Sequence, residues 1–299
     1  MLTNLFGAIT GRRAGFVRQS WVSYLELFKP RQTALLVATG ILGYLIASHG
    51  SIETGLYLVI LSLILAVAGT TGLNMYFDRD IDSVMFRTRK RPIPSKRVSP
   101  RSAFLLSSLL LSAGLILAFR INTIVGFCVA SGFFIDLVLY TVLLKRKTIW
   151  NIVVGALAGG MPALAGYAAF SGKIDLLGGC LLLLVFLWSL THIWLIASYY
   201  IEDYRRGGVP MLPVIHGIKV TVFSCLGILL VMNLALFSLF TLHLINWLPL
   251  LISLLVSLPL TYTLVSHLRS RRRENLRRAY RILSPYLLAV FLALLLVRL

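Results

Sequence analysis

Apolar residues run through this chain in long unbroken blocks, and the short segments between the blocks are rich in Lys and Arg. Such blocks show neither the period-two alternation of a half-buried strand nor the single apolar stripe of a helix on a water-soluble core. Nine of them reach or approach the roughly 20 residues that an α-helix needs to cross a bilayer. They are Thr33 to Ser48, Leu56 to Phe77, Ala103 to Phe119, Thr123 to Leu144, Ile149 to Phe170, Leu176 to Tyr200, Val220 to Leu242, Leu244 to Val265 and Ile282 to Val297. The first is short, and Pro30 in LFKPRQT suits the opening turn of its helix. It lies too far into the chain, and lacks the cleavage-type boundary, to be a signal peptide. The pattern predicts an all-α fold, a polytopic membrane bundle of nine transmembrane helices.

Composition points the same way. With 58% hydrophobic and 13% charged residues and a mean hydropathy of +0.88, the 299-residue chain has too little polar surface to cover a soluble core. A net charge of +19 would suggest nucleic acid in a soluble protein, but its distribution argues against that. Of 29 Lys and Arg, 26 precede the first block or follow the second, fourth, sixth and eighth, leaving only Arg120, Lys173 and Arg298 on the other side. The positive-inside rule then puts the N-terminus in the cytoplasm and the C-terminus outside, as an odd span number requires. The basic residues read as topology signals and as attraction to anionic membrane lipid, with no nucleic-acid partner. Cys128, Cys180 and Cys225 lie inside apolar blocks without close partners and read as packing residues. The expected organisation is a basic cytoplasmic segment, 1–31, and one nine-helix domain, 32–299, with enlarged cytoplasmic loops at 78–102 and 201–219 in a multi-pass cell-membrane protein.

Those loops carry most of the candidate chemistry. The first opens with LNMYFDRDIDSVMFRTRKRP, three aspartates in a chain with only ten acidic residues. Asn74, Asp78 and Asp82 are spaced four apart, and at ~100° per residue each step of four turns ~40°, so the three share a helical face while Asp80 points elsewhere. Hard oxygen ligands at a membrane rim among arginines suit a Mg²⁺ ion bound in turn to a polyphosphate. A solvated charged rim does not explain negative charge on the side otherwise kept positive. The second loop reads YYIEDYRRGGVPMLPVIHG, with Glu202 and Asp203 flanked by Tyr200, Tyr204, Arg205 and Arg206, then by a Gly-Gly turn and two stiffening prolines. Two acidic clusters on one face of a membrane can close around a single anion through bridging cations.

At these residues the chain resembles the UbiA-type intramembrane prenyltransferases. The resemblance rests on NMYFDRDIDSVMFRTRKRPIPSKRVSP, YTVLLKRKTIWNIVVGALAGGMPALAGYAA and THIWLIASYYIEDYRRGGVPMLPV. It runs from about Lys29 to Gly217, and the last two blocks match only as hydrophobic helices. It implies nine transmembrane helices and two aspartate-rich motifs, on cytoplasmic loops after helices two and six, that bind an isoprenyl diphosphate through Mg²⁺. Within the family it is nearest to members that prenylate heme. That implies attack of a heme vinyl carbon on a farnesyl-type cation, water capture and diphosphate release, with heme-modifying or oxidase-assembly proteins as further partners. Relatives acting on quinone precursors carry two aspartates four apart in the second motif, where this chain has Tyr200 and Tyr204. This favours heme and leaves Asp203, with Glu202 as neighbour or substitute, as the second metal ligand.

Leaving-group charge in a low-dielectric site calls for Mg²⁺ and cations, and Arg79, Arg87, Arg91, Lys145, Arg205 and Arg206 form the candidate pool. Each is also accounted for as a topology signal. Asp136, within the fourth block near Tyr140, is an ionisable group at membrane depth that faces a bundle interior or a cavity. His192 in LTHIWLIA and Asn151 in TIWNIVVG are candidates for the acceptor pocket, as are Tyr200 and Tyr204, while a satisfied core histidine is the plainer reading of His192. His216 follows the second motif directly and is a weaker candidate. The run GALAGGMPALAG reads as close helix packing. Two other functions stay open, a prenyltransferase for an aromatic quinone precursor or lipid acceptor, and a secondary transporter. A transporter would hold its acidic groups near the midplane, whereas six of the ten here lie in the inter-helix segments on the basic side.

Overall fold

The computed structural model describes residues 21–298, so Arg12, Arg13 and Arg18 of the basic N-terminal segment lie outside the described residues. Every regular element among the described residues is helical. In chain order these are α1 (Pro30–Ala47), α2 (Thr54–Phe77), α3 (Arg79–Val84), α4 (Pro100–Ile121), α5 (Thr123–Phe133), a π-helix (Phe134–Leu144), α6 (Asn151–Ser171), α7 (Leu176–Tyr199), α8 (Ile201–Arg206), α9 (Leu212–Ile215), α10 (Gly217–Thr241), α11 (Trp247–Ser270), α12 (Arg273–Leu283) and α13 (Tyr286–Leu296).

Eight of these segments are long and apolar enough to cross a membrane: α2, α4, α5 with the π-helix, α6, α7, α10, α11, and α12 with α13. The 18-residue α1, opening on Pro30, Arg31 and Gln32, is not among the eight. The last span begins at Arg273, nine residues before the apolar block that marked it in the sequence. The arginine-rich stretch is helical because Leu276, Ala279 and Leu283 recur at three- and four-residue spacing and bury one face, while Arg273, Arg277, Arg278 and Arg281 stay exposed.

The long helices close into a ring. Each packs on the next from α1 through α2, α4, α5, α6, α7, α10 and α11 to α12 and α13, and α13 returns to α1. His49 and Arg298 join the ends of α1 and α13, with Nδ1 of the imidazole 3.0 Å from the Arg298 carbonyl. Inside the ring α1 lies against α6, and residues of these two helices belong to both large apolar clusters, one in the first half of the ring and one in the second. That contact is backbone on backbone. A Cβ at Gly166 would strike the carbonyl of Gly40, and a Cβ at Gly43 would strike the carbonyl of Ala163. Lipid gives helices no hydrophobic reason to associate, so close approach at small residues, with the dispersion contact it permits, is what fastens them. The run 155–166 serves packing, as its small residues suggest.

A side chain at this crossing should therefore be costly. Gly166→Leu is expected to lower the detergent-solubilised melting temperature, with overpacking worth about 1–3 kcal/mol or more. Gly227→Ala in α10, where an added Cβ meets nothing within 4 Å, is expected to leave it unchanged or slightly raised.

Candidate active site

Helix α2 ends at Phe77, and Asp78 forms the joint to α3. The three motif residues therefore belong to two helices rather than to one uninterrupted one. The joint is slight: the N–H of Asp78 donates to the Asn74 carbonyl at 2.9 Å and that of Asp82 to the Asp78 carbonyl at 2.8 Å, so four-residue spacing still sets direction. Asn74, Asp78 and Asp82 are buried at 8%, 5% and 3% exposure. The side chain of Asp80 is 59% exposed and takes both guanidinium nitrogens of Arg146, at 2.6 and 2.7 Å. That hydrogen bonding holds the Asp80 carboxyl below the usual aspartate range.

Each buried carboxylate has its own counter-ion. Lys145 donates to Oδ2 of Asp78, and one nitrogen of Arg91 reaches both oxygens of Asp82, at 2.8 and 2.7 Å. Around Lys145 desolvation opposes the charge, but Tyr140, Asp78 and Asp82 outweigh it and push the ammonium pKa up. The π-helix makes this arrangement possible. Its wide turns bring residues five apart into register, so Lys145 lies over the Tyr140 ring, 5.3 Å from the centroid, and the Thr141 hydroxyl donates to the Asp136 carbonyl at 2.8 Å. The Asp136 side chain accepts from the Asn74 amide at 2.6 Å, and the Thr141 hydroxyl also donates to the Asn74 amide oxygen at 3.0 Å. Asp136 thus orients Asn74 from within the span.

The second loop docks on the first through Asp203, which is 8% exposed. Its carboxylate accepts the backbone N–H groups of Phe86 at 3.2 Å and Arg87 at 3.0 Å. Glu202 is exposed and paired with Arg205 at 2.8 Å, on the solvent side. Arg87 donates to the Tyr204 hydroxyl at 3.4 Å and its guanidinium lies over the Tyr200 ring, 5.6 Å from the centroid. Asn151, fully buried, donates to the Thr148 carbonyl at 2.6 Å and spans to the Lys145 and Pro210 carbonyls at 3.4 Å. It braces the turn that carries Lys145 against the second loop.

Not every candidate joins this cluster. Arg79 turns back to donate to the Tyr76 carbonyl at 2.8 Å and lies over the Tyr76 ring. Arg206 and His216 are exposed. His192, on α7, is sandwiched between Trp188, stacked at 4.4 Å, and Tyr280 of α12, at 4.8 Å, and its Nδ1 is buried without a partner. One residue of the cluster carries no motif signal in the sequence: Lys29, just ahead of α1, lies in the field of Arg91, Asp78, Asp82 and Lys145. Desolvation and then Arg91 lower its pKa to about 8, against the pull of the two aspartates.

The donor set suits a hard divalent cation. Among the described residues no three acidic, His or Cys side chains converge as a ready-made metal cage. Mg²⁺ needs no such cage, since it takes one or two carboxylates and completes its shell with waters and substrate phosphates. Oδ1 of Asp78 is buried without any hydrogen-bond partner, an oxygen left free to ligate.

The UbiA prenyltransferase family model matches residues 36–295. The chain belongs to this family. A protein of Archaeoglobus fulgidus named protoheme IX farnesyltransferase is 36% identical over 91% of this chain and 96% of its own length. One of the same name from Thermofilum pendens is 51% identical over 68% of this chain and 72% of its own. In structure, a UbiA homolog from Archaeoglobus fulgidus bound to DMAPP and Mg²⁺ superposes with a TM-score of 0.68 at 17% identity, covering 90% of this chain and 99% of that one. UbiA membership and the apolar helices make this an integral membrane protein and an enzyme, and set the transporter reading aside.

Asp203→Asn replaces an acceptor oxygen with an amide that must face a backbone N–H. The Phe86–Arg87 segment should loosen, at about 1–3 kcal/mol for a buried group left unsatisfied. Trypsin cleavage after Arg87, Arg89 and Lys90 is expected to quicken, and an unchanged cleavage rate would refute the latch.

Proposed function

We propose that the protein is a heme O synthase, a protoheme IX farnesyltransferase. It would move a farnesyl-type group from its diphosphate to a vinyl carbon of heme B, with water adding to the resulting cation, and release diphosphate. The observation that carries this reading is the extended similarity, 36–51% identity, to proteins of that name. In this reading the domain is 32–299 with α1 as the first of nine spans, the N-terminus and both acidic loops are cytoplasmic, and the charge asymmetry of the sequence supports that orientation.

Asp78 and Asp82 would hold Mg²⁺, with Asn74 oriented beside them by Asp136 and Thr141. Bound there, the ion supplies positive charge where the departing diphosphate gains negative charge. Lys145 and Arg91, beside the carboxylates, would bind phosphate oxygens, and Arg87 would join them from the rim. Arg79, Arg205, Arg206 and Glu202 are turned to solvent or to local partners and have less to contribute. Asp203 would act first by latching the loops. Tyr200 and Tyr204 would offer a planar acceptor neutral aromatic surface instead of the carboxylates that quinone-type relatives carry.

Purified protein given heme B, farnesyl diphosphate and Mg²⁺ is expected to yield a heme whose mass has gained a farnesyl group and a hydroxyl, the water that captures the cation having lost a proton. Prenylation of a hydroxybenzoate with heme untouched would overturn the assignment. Asp78→Asn or Asp82→Asn is expected to cut turnover by at least about 100-fold. Asp80→Asn, losing only an exposed pair, should stay within about threefold.

Topology has its own check. With the three native cysteines replaced, Cys at Ser95 and Cys at Arg206 should both react with an impermeant thiol reagent from the cytoplasmic side, and labelling from opposite sides would rule out a shared diphosphate site.

A further inference from the structure

The other cations near the acidic loops are committed in this structure or open to solvent. Lys145 is paired with Asp78, Arg91 with Asp82, Arg146 with Asp80 and Arg205 with Glu202, while Arg87 is held by Tyr204 and Tyr200. Lys29 differs. Among the described residues its ammonium makes no hydrogen bond and no ion pair, although it is half-buried and lies in the field of Asp78, Asp82, Asp136, Arg91 and Lys145. A sequestered cation beside two others needs a nearby anion, and each of the three carboxylates in that field already accepts from another group, Lys145, Arg91 or Asn74.

The backbone at Lys29 is left-handed, with φ 45° and ψ 65°. Pro30 disfavours the right-handed helical region at the residue before it, so the chain cannot run straight from the helical stretch 21–27 into α1. It turns instead through a conformation that is costly for a lysine and persists only where its surroundings enforce it. They do: the Phe28 carbonyl accepts from the Thr33 hydroxyl at 2.7 Å and the Thr71 hydroxyl at 3.2 Å, and the Thr33 N–H closes on the Lys29 carbonyl at 3.0 Å. Thr71 stands on α2, one turn before Asn74, and Leu27 is packed with Met75, Ile93 and Val98. The turn that presents Lys29 is therefore tied to the helix and loop that present the aspartates. Oδ1 of Asp78, on a residue 95% buried, has no hydrogen-bond partner.

We propose that Lys29 is a ligand of the substrate's diphosphate, a cation that the fold holds ready and unpaired at the entry to α1 while Lys145 and Arg91 neutralise the aspartates. This rests on the prenyl-diphosphate reading above. The positive end of the 18-residue α1, which begins at the next residue, favours the same anion.

The test is binding of inorganic pyrophosphate with Mg²⁺ to purified protein by calorimetry, with melting temperature measured in parallel. Lys29→Met and Lys29→Gly are both expected to bind about 10- to 100-fold more weakly than the wild type, the effect of losing one charge-assisted contact. Lys29→Gly should melt at or above the wild-type temperature, because glycine takes a φ of +45° freely. Wild-type affinity in Lys29→Gly or Lys29→Met would overturn the assignment, as would a fall in melting temperature of Lys29→Gly that accounts for its lost affinity, which would make the lysine structural. A wild-type protein that binds no pyrophosphate would instead remove the diphosphate reading itself, and the role of Lys29 with it.

Discussion

The active end of this molecule depends on pairing two buried carboxylates where a membrane helix gives way to a loop. Desolvating Asp78 and Asp82 costs several kcal/mol each, and the cost is met only because Lys145 and Arg91 reach them from separate parts of the chain. Lys145 must arrive from the end of the fourth block, so that segment widens into a π-helix. Arg91 must fold back nine residues from Asp82, so the first loop is compact, with its own buried side chains at Met85, Thr88, Ile93 and Val98. Asn151 and Asp203 then fix the turn after Lys145 and the segment before Arg91. Removing any one of these supports exposes a neighbouring charge to an unpaired, desolvated state.

Deeper in the membrane a different rule applies. Between α1 and α6 there is no charge to satisfy, and the helices are held by how closely their backbones approach at Gly40, Gly43 and Gly166. That crossing fixes the position of α1, and with it the turn at Lys29, relative to the rest of the ring. Packing at the glycines and electrostatics at the rim are thus linked through one short helix.

Much of this could be read from the sequence, and what escaped did so for definite reasons. Apolar block length located every long helix to within a few residues except at the start of the last span. There the arginines interrupt the apolar block, although they face outward on an amphipathic helix whose leucines face in. The i, i+4, i+8 spacing of Asn74, Asp78 and Asp82 was legible because the backbone ladder crosses the joint at Asp78 almost unbroken. The pairing of each aspartate was not, since Lys145 lies 67 residues from Asp78 and spacing along one helix carries no information about another. Asp203 stands as a metal ligand only through the family resemblance, and its carboxylate is engaged by backbone amides, which leave no mark on sequence. Lys29 was hidden among topology charges. Its one local sign was the Lys-Pro step, which breaks a helix without revealing that the break would take the left-handed form.

The ion pairs of the site also bear on how it would work. Asp78 with Lys145, and Asp82 with Arg91, pair opposite charges one to one. A divalent cation and a polyanion arriving together change that balance little. The carboxylates would then face the metal, and Lys145 and Arg91 would be free to turn to phosphate oxygens without either sign of charge being left alone in a low-dielectric setting. Such an exchange of partners needs only short side-chain movements, because the backbone around each residue is already fixed by the π-helix, the compact loop and the Asp203 latch. Preorganised charge of this kind stabilises a leaving group without reorganisation at the moment of bond breaking. In that reading the acidic residues lie among the lysines and arginines because their counter-ions are there, and those counter-ions are the groups a departing diphosphate would require.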